Sequence, residues 1–234
     1  MKLALRLALV LLGTLSITLA SATELTPHRA EYKVKISVLT GELNTELLEK
    51  DGKYTATHIV TPTGLSRIVT NGKLFVTSTF APSADGLRPL GYRAVDTIGD
   101  EPESDITFDW AAGVARGTVD GVPVELPLDG PSYDAVSIQY ELMYDLLNKL
   151  PSEDYVLFDV KELHEAHVSQ VGRKTVNTKA GKYEVVGIQH QKEGSSRIMT
   201  LWCAPELDYL PVVIEQHRKG KLKFRATLTS YTPL

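Results

Sequence analysis

Turn signals built on glycine recur along this chain and separate segments in which apolar and polar residues alternate. They are Asp51-Gly52, Asn71-Gly72, Asp120-Gly121, Ala180-Gly181, Glu193-Gly194 and Lys219-Gly220. An Asn or Asp before Gly suits the tight turns of β-hairpins, whose central residues need positive φ. The chain is therefore predicted to consist largely of antiparallel hairpins.

Strict alternation marks the beginning and the end of the predicted β region. In YKVKISVL, residues 32–39, apolar side chains occupy every second position, and KLKFRATLTSY, residues 221–231, repeats the pattern. Successive side chains of a strand point to opposite faces, so each segment predicts a strand with one buried face. We expect about ten to fourteen strands, in a sheet wide enough to curl over its apolar face.

One segment breaks this alternation. Its apolar residues follow one another at spacings of three and four: Val136, Tyr140, Met143, Leu147 and Leu150. This spacing predicts a helix over about residues 133–150, capped by Ser132 or Asp134 and ended by Pro151. The predicted fold is mainly β: a large curved antiparallel sheet or open half-barrel with one helix packed across it.

The first residues have the composition of a secretory signal peptide. Lys2 and Arg6 precede an apolar run, residues 7–19, and Ala20-Ser21-Ala22 fits the small-residue cleavage motif. The run is shorter than the roughly 20 residues that a membrane-spanning helix needs, which favours cleavage over anchoring. We expect cleavage near Ala22, a periplasmic location, and a single β domain over residues 23–234 without a transmembrane segment.

The charge of the mature chain bears on its partners. Loss of Lys2 and Arg6 with the signal peptide changes the formal charge from -4 to -6. We find no cluster of basic residues in the remainder, so neither nucleic acid nor an anionic membrane held by charge is a predicted partner. The expected partners are a lipid or another protein of the cell envelope.

Cys203 is the only cysteine of the chain, so it cannot form an internal disulfide. It also lies far downstream of the signal peptide, at whose end a bacterial lipid anchor needs its cysteine. Alternation in RIMTLWC, residues 197–203, puts Cys203 on the same face as Met199 and Leu201, and no nearby group would activate its thiol. We predict a packed and unreactive side chain.

No motif for catalysis, a cofactor or a metal stands out. LHEAHV, residues 163–168, resembles the zinc motif H-E-x-x-H, but His164 and His167, which flank Glu165, are three residues apart instead of four. In an extended segment these histidines point to opposite faces, so we predict no metal site. G-x-S-x-G and G-x-G-x-x-G do not occur, so we predict no cofactor and favour a binding protein over an enzyme.

Distant strands could still gather carboxylates for acid and base catalysis, and a hydrolase acting on envelope polymers is an alternative hypothesis. Asp109, Asp134 and Asp208 stand nearest to apolar sequence. Local roles are the default: Asp134 as a helix cap, Asp109 and Asp208 as acceptors for turn backbone. Two of the three within about 5 to 10 Å in one cleft would favour hydrolysis.

An ordered series of short segments resembles the DUF3108 family, exported bacterial proteins of unknown function. In LWCAPELDYLPVVIEQ, residues 201–216, Trp202 ends one strand, Pro205 lies in the turn and Leu210-Pro211-Val212 opens the next strand. Four more segments fit in order: LRPLGYR from Leu87, FDWAAG from Phe108, DAVSIQYEL from Asp134 and TKAGKYEVVGI from Thr178. The resemblance covers nearly all of the mature chain and implies no catalytic residues.

The predicted shape suggests a binding function, because a curled sheet partly covered by a helix can hold an apolar ligand between the two. We expect a non-catalytic periplasmic protein that binds a lipid, a glycan or a hydrophobic envelope component, with Met143 and Leu147 facing the ligand. Side chains filling that space would count against this site. A third hypothesis is a structural module recruited by another envelope protein, which an exposed apolar patch or sheet edge would indicate.

Overall fold

Fifteen strands form one sheet in the computed structural model, which describes residues 23–99, 102–150, 152–159, 162–192 and 194–234. The strands are β1 (His28–Ile36), β2 (Leu39–Lys50), β3 (Lys53–Pro62), β4 (Leu74–Ser83), β5 (Gly86–Asp96), β6 (Ser104–Asp109), β7 (Val114–Val119), β8 (Val122–Pro127), β9 (Ser132–Tyr133), β10 (Asp154–Asp159), β11 (Glu162–Asn177), β12 (Lys182–Lys192), β13 (Arg197–Ala204), β14 (Leu210–Arg218) and β15 (Lys221–Pro233). The helices are α1 (Ser66–Val69), α2 (Ser137–Asn148) and a 3-10 turn, Pro205–Leu207. The predicted signal peptide lies outside the described residues.

The sheet consists of two meanders joined in the middle. Strands β1 to β8 and β9 to β15 follow chain order, and β1 pairs with β15. All pairings are antiparallel except that of the two-residue strand β9, which runs parallel to β10. In the part of the chain that the structure describes, the edge strands β8 and β9 do not pair, so the sheet is open. The predicted fold class is confirmed, with a strand count slightly above the expected range.

The sheet curls until strands from its two ends touch. Phe158 on β10 packs against Phe108 on β6 with ring centroids 5.6 Å apart, although these strands are third and fourteenth in the sheet order. They belong to a small apolar cluster that we call the seam: Ile106, Phe108, Ala115, Val119, Leu128 and Phe158. A much larger cluster fills the inner face between the sheet and α2.

Helix α2 is shorter than predicted. The helix begins at Ser137, whereas Tyr133 at the start of the predicted span belongs to β9, and Lys149 ends the helix with a left-handed φ of 58°. Asp134 Oδ1 accepts the backbone N–H groups of Val136 and Ser137, both at 2.8 Å, so its predicted capping role is confirmed. Pro151, the predicted stop, lies outside the described residues. No helix of the described residues is long and apolar enough to cross a bilayer.

Candidate functional site

Met143 and Leu147, the predicted ligand-facing residues, lie in packed surroundings. Met143 is 2% exposed within the large cluster, and Leu147 is partly buried against it. Tyr140 of the same helix is fully buried and stacks on Phe80 of β4, with ring centroids 5.3 Å apart. Neither Met143 nor Leu147 lines any of five cavities found at the described residues. Side chains pack around these two residues, while a cavity of about 330 Å³ adjoins Leu146 of the same helix. That Met143 and Leu147 face a ligand stays a prediction.

Asp109, Asp134 and Asp208 have separate partners, and Asp109 and Asp134 take the predicted local roles. Asp109 pairs with Arg116 at 2.7 Å and accepts a backbone N–H of its own turn. Asp134 is 1% exposed and accepts a serine hydroxyl of β4 at 2.6 Å as well as the helix N–H groups. Asp208 accepts a threonine hydroxyl from the segment before β1. In the described part of the chain, no hydrogen bond, ion pair or cavity joins two of them, so hydrolysis through these carboxylates gains no support.

Cys203 lies in the large cluster and is 2% exposed. Burial raises the pKa of its thiol far above the ordinary value, so the thiol stays protonated at neutral pH. The nucleophile and the metal ligand would be the thiolate, which is not formed here. The predicted packing role of Cys203 is confirmed.

His164 and His167 point to opposite faces of β11, as alternation predicts for an extended segment. The side chain of His167 is 62% exposed, with its Nδ1 3.1 Å from Asp154. That of His164 is only 15% exposed, and it lies near Asp159 and Glu162 across the β10–β11 hairpin. The two histidines of the motif therefore lie on opposite faces of the sheet. The neighbours of His164, Asp159 and Glu162, are not part of the motif.

A cavity of about 330 Å³ opens beside His164 at one end of the sheet. We call this end the rim: it carries the β1–β2, β10–β11, β12–β13 and β14–β15 turns. We call this cavity the rim cavity. Two apolar side chains, Leu157 and Met199, line it. The rest of its lining is polar: Asp159, His164, His190, Lys192, Ser195, Ser196, Arg197, Gln216 and Arg218.

Strand register explains why these side chains meet. His190 on β12 pairs with Met199 on β13, and it lies two residues from Ile188, which is 4% exposed in the core. Because the period of a strand is two, His190 and Ile188 share a face, and the rim cavity continues the inner face of the sheet. Arg197 and Arg218 pair directly across β13 and β14. Like charges placed opposite each other in this way destabilise a sheet.

Both histidines of the rim cavity are neutral at neutral pH. Burial and then the charge of Lys192 lower the pKa of His164, and burial and then His164 lower the pKa of His190 to about 4. Each neutral imidazole offers one N–H donor and one acceptor. His164 Nδ1 is buried and has no hydrogen-bond partner among the described residues. A ligand in the cavity can supply that partner.

The charges of the rim cavity favour an anion. Lys192 is bound to Glu162, whereas Arg197 and Arg218 have no ion-pair partner among the described residues. Guanidinium groups suit phosphate and carboxylate, since their planar donors match two oxygens at once. The neighbouring Leu157 and Met199 offer contact to an apolar portion of the same ligand.

A metal ion fits the rim cavity less well than an anion does. One ligand atom each from Asp159, Glu162 and His164 lies within 4.8 Å of the others, which is a conceivable set of three ligands. Glu162, however, already holds Lys192. A further cation would also lie close to the cavity's guanidinium groups, and like charges repel. We therefore assign these residues to the cavity wall.

A second polar site, absent from the sequence-based predictions, lies on α2. Glu141 and Asp145 are one helical turn apart and only 2% and 7% exposed. Glu141 accepts the Leu87 N–H at 2.7 Å and the Tyr133 hydroxyl at 2.8 Å, while Asp145 accepts the Tyr155 hydroxyl at 2.6 Å. Because Leu87 belongs to β5 and Tyr155 to β10, the two carboxylates tie the helix to both sides of the open sheet.

Burial raises the pKa of Glu141 to about 7, and Asp145 adds to the shift. A cavity of about 390 Å³ adjoins both groups. A perturbed acid beside a cavity is often functional, but here protein donors engage both Glu141 oxygens, and we assign the pair to structure. In the sequence, the acids are four apart in YELMYD, and this spacing did not identify a site because the burial of both acids depends on contacts with distant strands.

The open, curled antiparallel sheet crossed by one helix defines a class of β proteins. Within that class the chain belongs to the DUF3108 family, described as a protein of unknown function, whose profile matches residues 27–227. The resemblance seen in the sequence is thereby confirmed. No curated protein matches the chain significantly.

A solved structure shares the fold. A beta-barrel-like protein of a domain of unknown function, DUF1849, from Brucella abortus matches with a TM-score of 0.59 at 14% identity, over 91% of this chain and 99% of that chain. A candidate lipoprotein from Parabacteroides distasonis matches with a TM-score of 0.36 at 9% identity, over 90% and 100% of the two chains. A protein from Bacteroides fragilis with a YmcC-like fold gives 0.37 at 9%, over 89% and 96%. The first match shows a common fold alone, and the weaker two carry no argument about this chain.

Proposed function

We propose that this is an exported, non-catalytic protein that binds an anionic amphiphile of the cell envelope in the rim cavity. The observation that carries the proposal is the pairing of Arg197 with Arg218 in the cavity wall, beside the apolar side chains of Leu157 and Met199. The signal-like sequence of residues 1–22 supports export to the periplasm.

The physical reason is the relief of an electrostatic cost. Arg197 and Arg218 are exposed and lie directly opposite each other in the strand register, so their like charges repel, and both would attract an anion bound between them. A volume of about 330 Å³ is near the lower end of small-molecule sites, so it would hold a phosphate or carboxylate with a short apolar segment. A lipid headgroup and an acidic glycan both provide this chemistry.

The test is calorimetric titration of the protein with three probes: dodecyl phosphate, inorganic phosphate and dodecyl maltoside. Dodecyl phosphate should bind most tightly, because it alone combines the anion with an alkyl chain. Replacing both arginines, Arg197→Ala with Arg218→Ala, should weaken its binding by about tenfold or more. The matched control is Arg173→Ala, which removes an exposed arginine of β11 and should leave binding unchanged.

Two results would contradict the proposal. One is equal binding of dodecyl maltoside and dodecyl phosphate, which would show an apolar site without charge selection. The other is unchanged dodecyl phosphate binding in the double arginine variant. Native mass spectrometry of protein purified from the periplasm without detergent then separates the natural sources, since a lipid and an acidic glycan give adducts of different mass.

A further inference from the structure

Four aliphatic side chains protrude at the rim. Val38, Leu65, Ile68 and Val69 are 88%, 81%, 82% and 72% exposed, the highest values among the large hydrophobic side chains described as exposed. We call these four residues the tip. Scattered exposed apolar residues are ordinary, but a contiguous apolar patch on a protein surface marks an interaction site.

The tip comes from two loops that hydrogen bonds hold together. Val38 lies in the β1–β2 turn, and the other three residues lie in the β3–β4 connection, in or just before α1. The Thr40 N–H donates to Ser66 Oγ at 2.8 Å, and the Thr63 N–H donates to the Thr40 carbonyl at 2.9 Å. Ser66 is 5% exposed and anchors α1 to β2, which leaves the aliphatic residues of α1 on the solvent side.

A row of cations runs beside the tip. Because β15 pairs with β1, with Phe224 opposite Ile36, the β14–β15 hairpin reaches the same end of the sheet. Its exposed cations, here the basic hairpin, are Arg218, Lys219, Lys221 and Lys223. None of them has an ion-pair partner among the described residues. The prediction that the chain lacks a basic cluster is wrong at this hairpin, which the overall charge of -4 conceals.

The tip and the basic hairpin together have the chemistry that an anionic bilayer surface binds. The acyl region accepts protruding aliphatic side chains, and lipid phosphates accept lysine and arginine. A protein partner fits less well, because the centres of protein interfaces are enriched in aromatic residues and methionine, and the tip has neither. The tip residues also line none of five cavities found at the described residues, so they project from the surface.

We propose that the tip and the basic hairpin dock this protein peripherally on an anionic lipid bilayer. The tip enters the boundary between headgroups and acyl chains, and the basic hairpin contacts the phosphates. Docking in this orientation places the mouth of the rim cavity near the membrane. The inference goes beyond the proposed ligand binding. Arg218 belongs to both surfaces, so the two proposals are separated through the tip, which lies outside the rim cavity.

The test is co-sedimentation of the protein, purified in the form in which it accumulates in the periplasm, with vesicles of defined composition. Binding should be strong with phosphatidylglycerol mixed into phosphatidylethanolamine, several-fold weaker with phosphatidylcholine, and weaker at high salt. Leu65→Asp with Ile68→Asp should reduce binding about tenfold or more. The matched control Val122→Asp changes an exposed valine on the edge strand β8 and should bind like the original protein.

A charge-reversal pair tests the basic hairpin. Lys219→Glu with Lys221→Glu should abolish the preference for anionic vesicles, whereas Lys53→Glu, at the β2–β3 turn on the opposite end, should preserve it. Melting curves confirm that each variant is folded, and the tip variant, whose substitutions lie outside the rim cavity, should bind dodecyl phosphate as before. Any of three results would overturn the proposal. The first is no binding to anionic vesicles, and the second is full binding by the tip variant. The third is a protein that does not bind vesicles but forms a dimer in solution, with the tip variant monomeric.

Discussion

Glu141 is an acid that the fold holds almost out of water. Burial on α2 raises its pKa from an ordinary value of 4.5 to about 7. Between these values the folded protein keeps a proton that the unfolded chain has lost. The free energy of unfolding should therefore fall as pH rises from about 4.5 to about 7 and then level off, by about 2 to 3 kcal/mol from this group.

Glu141→Gln should flatten that dependence. The amide has no proton to lose, its oxygen can still accept the Leu87 N–H, and a smaller slope should remain because burial also raises the pKa of Asp134 and Asp145. Urea unfolding at several pH values between 5 and 8 measures the effect. Glu165→Gln, at an exposed position of β11, is the control and should retain the full slope. An unchanged slope in the Glu141 variant would show that another group titrates.

At the scale of elements, the contact of β5 with α2 depends on Gly86. Its φ is +108°, and a Cβ atom there would lie 2.1 Å from Glu141 Oε1. Gly86→Ala should therefore cost about 2 to 4 kcal/mol in the free energy of unfolding, from backbone strain and the displaced carboxylate together. Gly52→Ala separates the two causes: φ is +72°, nothing lies within 4 Å, and the cost should be about 1 kcal/mol. Equal losses in urea unfolding would mean that the carboxylate moves aside freely.

The elements themselves were largely predictable because their causes are local. Alternation identified β1 and β15, although the predicted first strand ran past Ile36, where Ser37 turns the chain with φ 56°. The spacing of apolar residues identified α2. The sites were not predictable, because they depend on contacts between distant strands. Arg197 and Arg218 meet through β13–β14 register, and the burial of Glu141 depends on β5.

For the whole molecule, the question is what holds an open sheet of fifteen strands in its curl. Hydrogen bonding cannot do so across the gap, because β8 and β9 are unpaired edges among the described strands. Two connections bridge the gap instead: the carboxylates of α2, which reach β5 and β10, and the seam between β6 and β10. The seam is apolar and therefore the less specific of the two, yet it joins strands from the two ends of the sheet directly.

A double-mutant cycle measures the seam directly. Phe108→Ala and Phe158→Ala should each cost about 3 to 4 kcal/mol, since both side chains are almost fully buried. Their combination should cost about 1 kcal/mol less than the sum, because the two rings contact each other edge to face. Combining Phe108→Ala with Phe224→Ala, on β15 and outside the seam, should be additive. Additive losses for the seam pair as well would mean that the ends of the sheet meet without stabilising each other, and that α2 alone keeps the sheet curled.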